Sequence, residues 1–105
     1  MVKQAFVLQL RAGFEAEYKQ RHDTIWPELV ALLKRYGMAD YHIYLHPQTL
    51  QLFGFLDVPD DFDGEALKRE AIMQRWWESM APLMETLPDS NEPLSVPLAH
   101  LFYME

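Results

Sequence analysis

Apolar positions along the first third of the chain change from strand-like to helical spacing. The apolar run within residues 3–10 predicts a mostly buried strand. Helical spacing then predicts one helix over residues 14–21 and a second over residues 27–36. Asp23 and Thr24 are candidate N-terminal caps, and the proline that follows suits a first turn because its missing N–H has no helical partner there.

The pattern in the rest of the chain predicts a hairpin, a helical region and a closing strand. Residues 41–45 and 50–56 are typical of two strands joined by a turn that contains Pro47. An irregular helical region then extends from about residue 59 to 84. A polar loop follows at residues 88–93, and residues 98–103 are predicted to form the last strand.

The predicted order β-α-β-β-α-β indicates an α+β fold of the ferredoxin-like, split β-α-β type, as one domain over residues 1–105. Its two helical regions can cover only one face of a four-stranded sheet. In such an apolar chain we expect the uncovered face to meet a second copy, giving a homodimer of the dimeric α/β barrel type. Residues 93–97 are expected to extend that contact by crossing to the partner. The fold alone does not identify a function.

Composition removes several classes of function. The 105 residues include no Cys, which excludes thiol nucleophiles, disulfides and cysteine metal sites. A net charge of −7 opposes nonspecific binding to nucleic acid or anionic membranes. The four histidines lack ligand spacing for a metal, and there is no phosphate-binding glycine loop. With no signal-like or membrane-spanning run, a cytoplasmic protein that acts on an uncharged small molecule is compatible with the sequence.

Two adjacent tryptophans, Trp76 and Trp77, are unusual in a predicted helix. Successive helical residues point about 100° apart, so a single apolar stripe does not readily bury both indoles. One of them therefore needs a second apolar surface, which can be a pocket wall, a subunit interface or a ligand. An indole offers an apolar face and one N–H donor, which suits a sugar ring. Packing in the core and at an interface accounts for the doublet equally well.

Tyr18, His22 and Trp26 are spaced by four residues and would form one ridge on a continuous helix. Trp26 is the member least certain to lie on this ridge, because it falls in the predicted break between the two helices. Histidine both gives and accepts a proton near neutral pH, and a tyrosine hydroxyl adds a hydrogen bond without titrating. A single histidine on a helix is more often a packing residue than a catalyst. The spacing of Tyr18 and His22 alone therefore does not establish a catalytic site.

These residues belong to segments that resemble the L-rhamnose mutarotase family along nearly the whole chain. The most specific matches are Arg21-His22, Ile25-Trp26-Pro27-Glu28 and Gln74-Arg75-Trp76-Trp77. The resemblance implies a cytoplasmic, cofactor-free, homodimeric enzyme of carbohydrate metabolism, an isomerase that interconverts the α and β anomers of L-rhamnose. It implies that His22 is the acid/base residue and that the sugar contacts Tyr18, Tyr41, Trp76 and Trp77.

Two segments depart from the family pattern. Arg69-Glu70-Ala71-Ile72-Met73 replaces a shorter sequence of the type Thr-Glu/Asp-Val-Cys, and the loop at residues 87–93 has one extra residue. Both segments flank the expected pocket. They affect the expected sugar preference more than the expected reaction.

The reaction requires little more than a proton carrier beside a sugar. The ring opens when its oxygen gains a proton and the anomeric hydroxyl loses one; the C1–C2 bond of the open aldehyde then turns and the ring closes again. One positioned acid/base group contributes on the order of 10²–10⁴-fold to such a step. The sequence does not identify a second group, which can be Tyr18, a water or a residue of the other subunit.

Two other functions are compatible with the same fold. A cofactor-independent monooxygenase of the dimeric α+β barrel type would also place a histidine in its pocket, and would consume oxygen. A non-catalytic sugar-binding module would use the same aromatic residues and bind rhamnose without exchanging its anomers.

Overall fold

The computed structural model describes residues 1–105, which form four strands, four α-helices and one short 3-10 helix. The chain begins with one strand, continues through two helices and a pair of strands, and ends with two further helices and a short strand. In chain order the elements are β1 (Val2–Gln9), α1 (Glu15–Asp23), α2 (Pro27–Arg35), β2 (Ala39–Leu45), β3 (Gln51–Val58), α3 (Gly64–Lys68), α4 (Ala71–Met80), the 3-10 helix (Ala81–Leu83) and β4 (Val96–Pro97).

All neighbouring strands are antiparallel, in the order β2-β3-β1-β4. Side chains alternate between the two sheet faces, and Leu8 lies opposite Leu52 on the face that the helices cover. Leu29 and Leu32 of α2 are almost completely buried within this layer, as is Met80 of α4. The protein is therefore a single small α+β domain whose core lies between the helices and one face of the sheet.

Strand β2 contains one extra residue relative to its partner β3. Ala39 lies opposite Asp57 and His42 lies opposite Phe55, so three steps on β2 match two on β3. This is a β-bulge, and Asp40 within it has a positive φ of 51°. Beyond the bulge Ile43 lies opposite Gly54, on the helix-covered face. Tyr41, two residues earlier, lies on that same face.

The helix boundaries correct two predicted caps. Asp23 is the last residue of α1, and the Thr24 hydroxyl donates to the Gln20 carbonyl at 3.0 Å. Neither residue caps α2, whose N-cap is Trp26 in an extended conformation, followed by the predicted Pro27. Helix α1 extends two residues beyond its predicted end, to Asp23, and so occupies part of the predicted break between the helices.

The predicted last strand at residues 98–103 is wrong. Strand β4 contains only Val96–Pro97, which lie opposite Val7 and Phe6. Val96 and Pro97 thus pair with β1 of their own chain, and a final hydrogen bond runs from the Leu98 N–H to the Ala5 carbonyl at 2.9 Å. The tail beyond it has no strand partner within the chain, and Leu101 is 92% exposed. None of the helices is both long enough and apolar enough to span a membrane.

Candidate active site

A cavity of about 1150 Å3 lies between the sheet and the helices, and 21 of the 31 residues that line it are hydrophobic. All five residues that the family resemblance assigns to the site line this cavity: Tyr18, His22, Tyr41, Trp76 and Trp77. They come from three separate elements, α1, β2 and α4. The fold therefore brings together residues that are more than fifty positions apart in sequence.

Helix α1 places Tyr18 and His22 one turn apart, so that their rings stack with centroids 4.4 Å apart. The Nδ1 atom of His22 lies 3.0 Å from the carbonyl oxygen of Tyr18. A carbonyl can only accept a hydrogen bond, so this contact assigns the proton of the neutral imidazole to Nδ1. Nε2 has no partner within the chain and is the nitrogen that remains for proton exchange with a ligand.

Helix α4 contributes Trp76 to the other side of His22. The edge of one ring meets the face of the other, at a centroid distance of 5.4 Å and an interplanar angle of 85°. The Arg21 guanidinium donates a hydrogen bond to the Ser79 carbonyl and so ties α1 to α4 beside this contact. The imidazole is therefore held between a phenol and an indole, and no carboxylate contacts it.

Burial lowers the pKa of His22 below its usual value of 6.5, because the imidazolium loses hydration in this aromatic setting. The hydrogen bond to the Tyr18 carbonyl and the nearby charge of Asp23 act in the opposite direction but are smaller effects. Neutral imidazole is thus the majority form at neutral pH, and the imidazolium remains available as a minority form.

The two tyrosines stay protonated in this cavity. Burial raises the pKa of Tyr41 to about 12, and also raises that of Tyr18 further above its usual value. Tyr41 is 41% exposed as a whole residue, so the raised pKa reflects burial of its hydroxyl end. Both hydroxyls therefore serve as hydrogen-bond donors and acceptors and not as anions.

The tryptophan doublet divides between two environments. Trp76 is only 7% exposed and belongs to the hydrophobic core, whereas Trp77 is partly buried and packs against that core. Both indoles nevertheless line the cavity. Trp76 is held by Trp26 as well, at a centroid distance of 5.2 Å. Trp26 does not line the cavity, so the third member of the predicted ridge supports the site from behind.

Phe6 is a cavity residue that the sequence did not single out. Its ring meets that of Tyr41 edge-on, with centroids 6.2 Å apart. The available signal was the alternation along β1, which places Phe6 and Leu8 on the same face of the sheet. That signal marks a core position and does not distinguish a cavity wall from the packed interior.

The comparison with known proteins settles the family. The model of the L-rhamnose mutarotase family matches residues 3–104. The chain belongs to the L-rhamnose mutarotase family. It is 51% identical to the L-rhamnose mutarotase of Mesorhizobium japonicum over 102 residues, covering 97% of this chain and 96% of the relative. It is 52% identical to that of Jannaschia sp. strain CCS1, covering 99% of both.

A solved structure of a family member has the same fold. The crystal structure of an L-rhamnose mutarotase from Formosa agariphila superposes with a TM-score of 0.90 at 41% sequence identity. The match covers 100% of both chains. The resemblance noted in the sequence is thereby confirmed at the level of the family.

Proposed function

We propose that the protein is an isomerase that interconverts the α and β anomers of L-rhamnose, with His22 as the proton carrier. The observation that carries the proposal is the position of His22 in the cavity wall, with Nδ1 bonded to the Tyr18 carbonyl and Nε2 left without a partner. Family membership supports the same reaction and the same sugar.

The cavity suits a deoxysugar because it combines aromatic walls with a few polar atoms. The indoles of Trp76 and Trp77 offer apolar surface to the ring face and methyl group of rhamnose. The hydroxyls of Tyr18 and Tyr41 remain protonated and can exchange hydrogen bonds with the sugar hydroxyls. These contacts orient the sugar, and His22 carries out the proton transfer.

The imidazolium form of His22 donates its Nε2 proton to the ring oxygen as the C1–O5 bond breaks. The anomeric hydroxyl loses its proton to a second acceptor, and its oxygen becomes the carbonyl oxygen of the open aldehyde. After rotation about C1–C2, the hydroxyl on C5 attacks the opposite carbonyl face and returns its proton to Nε2. The second group gives its proton back to the carbonyl oxygen, which becomes the new anomeric hydroxyl. The protein ends the cycle unchanged, and no electron is transferred to or from the sugar.

The test is saturation-transfer NMR on an equilibrated L-rhamnose solution with wild-type protein and with His22→Asn. We expect the wild type to transfer saturation between the two anomeric signals. His22→Asn keeps a polar side chain but loses the titrating proton, so exchange falls on the order of 10²-fold or more while rhamnose binding survives. Tyr18→Phe, the matched variant on the same helix, loses less because it removes a hydrogen bond and not the proton carrier.

Three outcomes would contradict the proposal in different ways. Exchange in His22→Asn close to the wild-type rate would remove His22 from the mechanism and make Tyr18 the next candidate. Rhamnose binding without anomer exchange in the wild type would indicate a sugar-binding module. Oxygen uptake with an aromatic substrate would indicate a monooxygenase.

The proposal includes a homodimer of ferredoxin-like subunits in a dimeric α/β barrel. The sheet face away from the helices carries Tyr44, which is 61% exposed, and Phe55, which is 36% exposed. Val7 and Val96 lie opposite each other on the same face. An apolar sheet face of this kind is typical of a surface that packs against a second copy. The apolar tail beyond β4 adds a further exposed surface for the partner.

The remaining parts of the proposal follow the resemblance. Residues 1–105 act as one mutarotase domain, without a cofactor, in the cytoplasm. The partner molecules are the sugar and the second subunit, and neither nucleic acid nor a membrane takes part. A net charge of −7 is consistent with this choice of partners.

A further inference from the structure

An ion pair links one of the segments that depart from the family pattern to the residue that directly precedes the other. Lys68 ends α3, directly before Arg69-Glu70-Ala71-Ile72-Met73, and Glu92 lies in the loop with the extra residue. The Nζ atom of Lys68 is 3.1 Å from Oε2 of Glu92. Both side chains line the cavity, as does Trp77. An ion pair at the cavity wall therefore joins the loop with the extra residue to the end of α3.

The backbone holds both partners in place. The Lys68 carbonyl accepts a hydrogen bond from the side chain of Gln74, the first residue of the Gln-Arg-Trp-Trp motif. The Glu92 carbonyl accepts from the Leu87 N–H at 2.9 Å, which closes the loop on itself. Thr86 and Pro93 add a β-bridge at the base of that loop. The pair is thus fixed with respect to the helix that carries both indoles.

The pair also has hydrogen-bonding capacity left over. The ammonium group of Lys68 has three donors, and its neighbours in the chain are Glu92 and, at 3.6 Å, Glu65. Oε1 of Glu92 has no partner in the chain, and both side chains are partly exposed. A hydroxyl can donate to this carboxylate while a neighbouring hydroxyl accepts from the ammonium. Adjacent hydroxyls on a sugar ring fit such a charge-assisted arrangement.

We propose that Lys68 and Glu92 bind adjacent hydroxyls of the sugar and help determine which sugars the cavity accepts. The inference rests on the proposed function, because it assumes that a sugar occupies the cavity. In this arrangement His22 exchanges a proton with the ring oxygen, and the Lys68–Glu92 pair forms hydrogen bonds with hydroxyls away from that oxygen. The loop with the extra residue then contributes to specificity through Glu92, together with Lys68 at the end of α3.

The test compares affinities for L-rhamnose and its 2-, 3- and 4-deoxy derivatives in the wild type, Lys68→Met and Glu92→Gln. Hydrogen bonds to charged groups are strong, so we expect each variant to bind L-rhamnose about ten-fold more weakly, with the loss mainly in KM. At least one deoxy sugar should bind the wild type weakly and show no further loss in the variants. A half-exposed ion pair contributes little to stability, so the variants should fold.

Two control variants separate sugar binding from loop anchoring. Glu65→Gln removes the other carboxylate near Lys68, and Glu65 does not line the cavity. Glu85→Gln breaks the pair with Arg11 that holds the start of the same loop outside the cavity. Both should keep wild-type affinity.

Calorimetry and exchange NMR on the same samples distinguish the two proposals. A wild type that binds rhamnose without exchanging its anomers would refute the proposed reaction and leave the specificity proposal standing if the affinities change as expected. Unchanged affinities in Lys68→Met and Glu92→Gln, or an equal loss in Glu85→Gln, would overturn the specificity proposal.

Discussion

His22 is held by its neighbours without being paired to a charge. A histidine locked against a carboxylate would keep its proton over a wide pH range, whereas a histidine among aromatic rings gives it up more easily. The ring of Tyr18 and the edge of Trp76 orient the imidazole, and the Tyr18 carbonyl fixes its tautomer. These contacts favour rapid gain and loss of a proton at Nε2, which a reversible ring opening requires.

The lowered pKa of His22 predicts the pH dependence of the reaction. If the imidazolium is the donor, kcat/KM falls as pH rises through a midpoint below about 6.5, approaching ten-fold per pH unit above it. Stability changes in the opposite direction, because the unfolded chain takes up the proton first. The free energy of unfolding therefore decreases as pH falls from about 6.5 through the lowered pKa.

Exchange NMR and denaturant unfolding between pH 5 and pH 8 measure both trends, and His22→Asn is the control that should lose the kinetic midpoint. A rate that rises with pH through the same range would show that the neutral imidazole acts first.

Sequence spacing identified part of this site and not the rest. Tyr18 and His22 are one turn apart on a helix, so their proximity follows from local geometry alone. The contact between His22 and Trp76 depends on how α1 packs against α4, which no local pattern specifies. The position of Tyr41 in the cavity wall depends on the register of β2 against β3. These distant residues were connected to the site only by the family resemblance.

At the scale of the elements, Gly54 of β3 makes room for a cavity residue. Gly54 lies opposite Phe6 in the sheet, and a Cβ added there would overlap the Phe6 ring. That ring in turn contacts Tyr41 across the cavity wall. The missing side chain on β3 therefore leaves room for an aromatic residue of β1 to pack over Gly54.

Gly54→Ala should displace Phe6 toward Tyr41. We expect a loss of about 1–3 kcal/mol in the free energy of unfolding, as for other overpacked cores, together with a higher KM for rhamnose. In Gly54→Ala/Phe6→Leu the smaller side chain should relieve the overlap, so the double variant should lose less than the sum of the two single variants. Urea unfolding of the four proteins gives the coupling, and strictly additive losses would contradict this account.

The strands and helices were largely predictable, and the errors have physical causes. Gly37, with a positive φ of 86°, ends the second helix as such a residue commonly does. The caps at Asp23 and Thr24 were wrong because α1 continues through the residues that a cap requires. The strand at residues 98–103 was wrong because a strand needs a neighbour, and the apolar pattern does not say whether one is available in the same chain.

At the scale of the whole molecule, one side of the sheet is covered and the other is not. The helices bury one face, and the opposite face presents Tyr44 and Phe55 with their rings 6.2 Å apart. The exposed apolar tail lies beyond β4, at one edge of the same sheet. Both features favour a second copy as the partner, because a homodimer covers the same apolar surface on both chains at once.

We predict that light scattering at micromolar concentration gives twice the mass of one chain. Phe55→Glu places a charge in the middle of the proposed interface and should shift the protein toward the monomer, because an unpaired charge is costly to bury. Ala31→Glu is the matched control, since this exposed residue of α2 lies on the helix side. A wild-type monomer, or a dimer unaffected by Phe55→Glu, would refute this interface.

The β-bulge at Asp40 has a consequence for how this site can vary among related chains. Residues on the two sides of the bulge are in regular register with β3: Ala39 lies opposite Asp57, and His42 lies opposite Phe55. A chain without the extra residue would pair regularly here, and would keep Tyr41 on the helix-covered face and His42 and Tyr44 on the outer face. The bulge therefore absorbs the gain or loss of one residue locally, without exchanging the set of groups that a ligand meets.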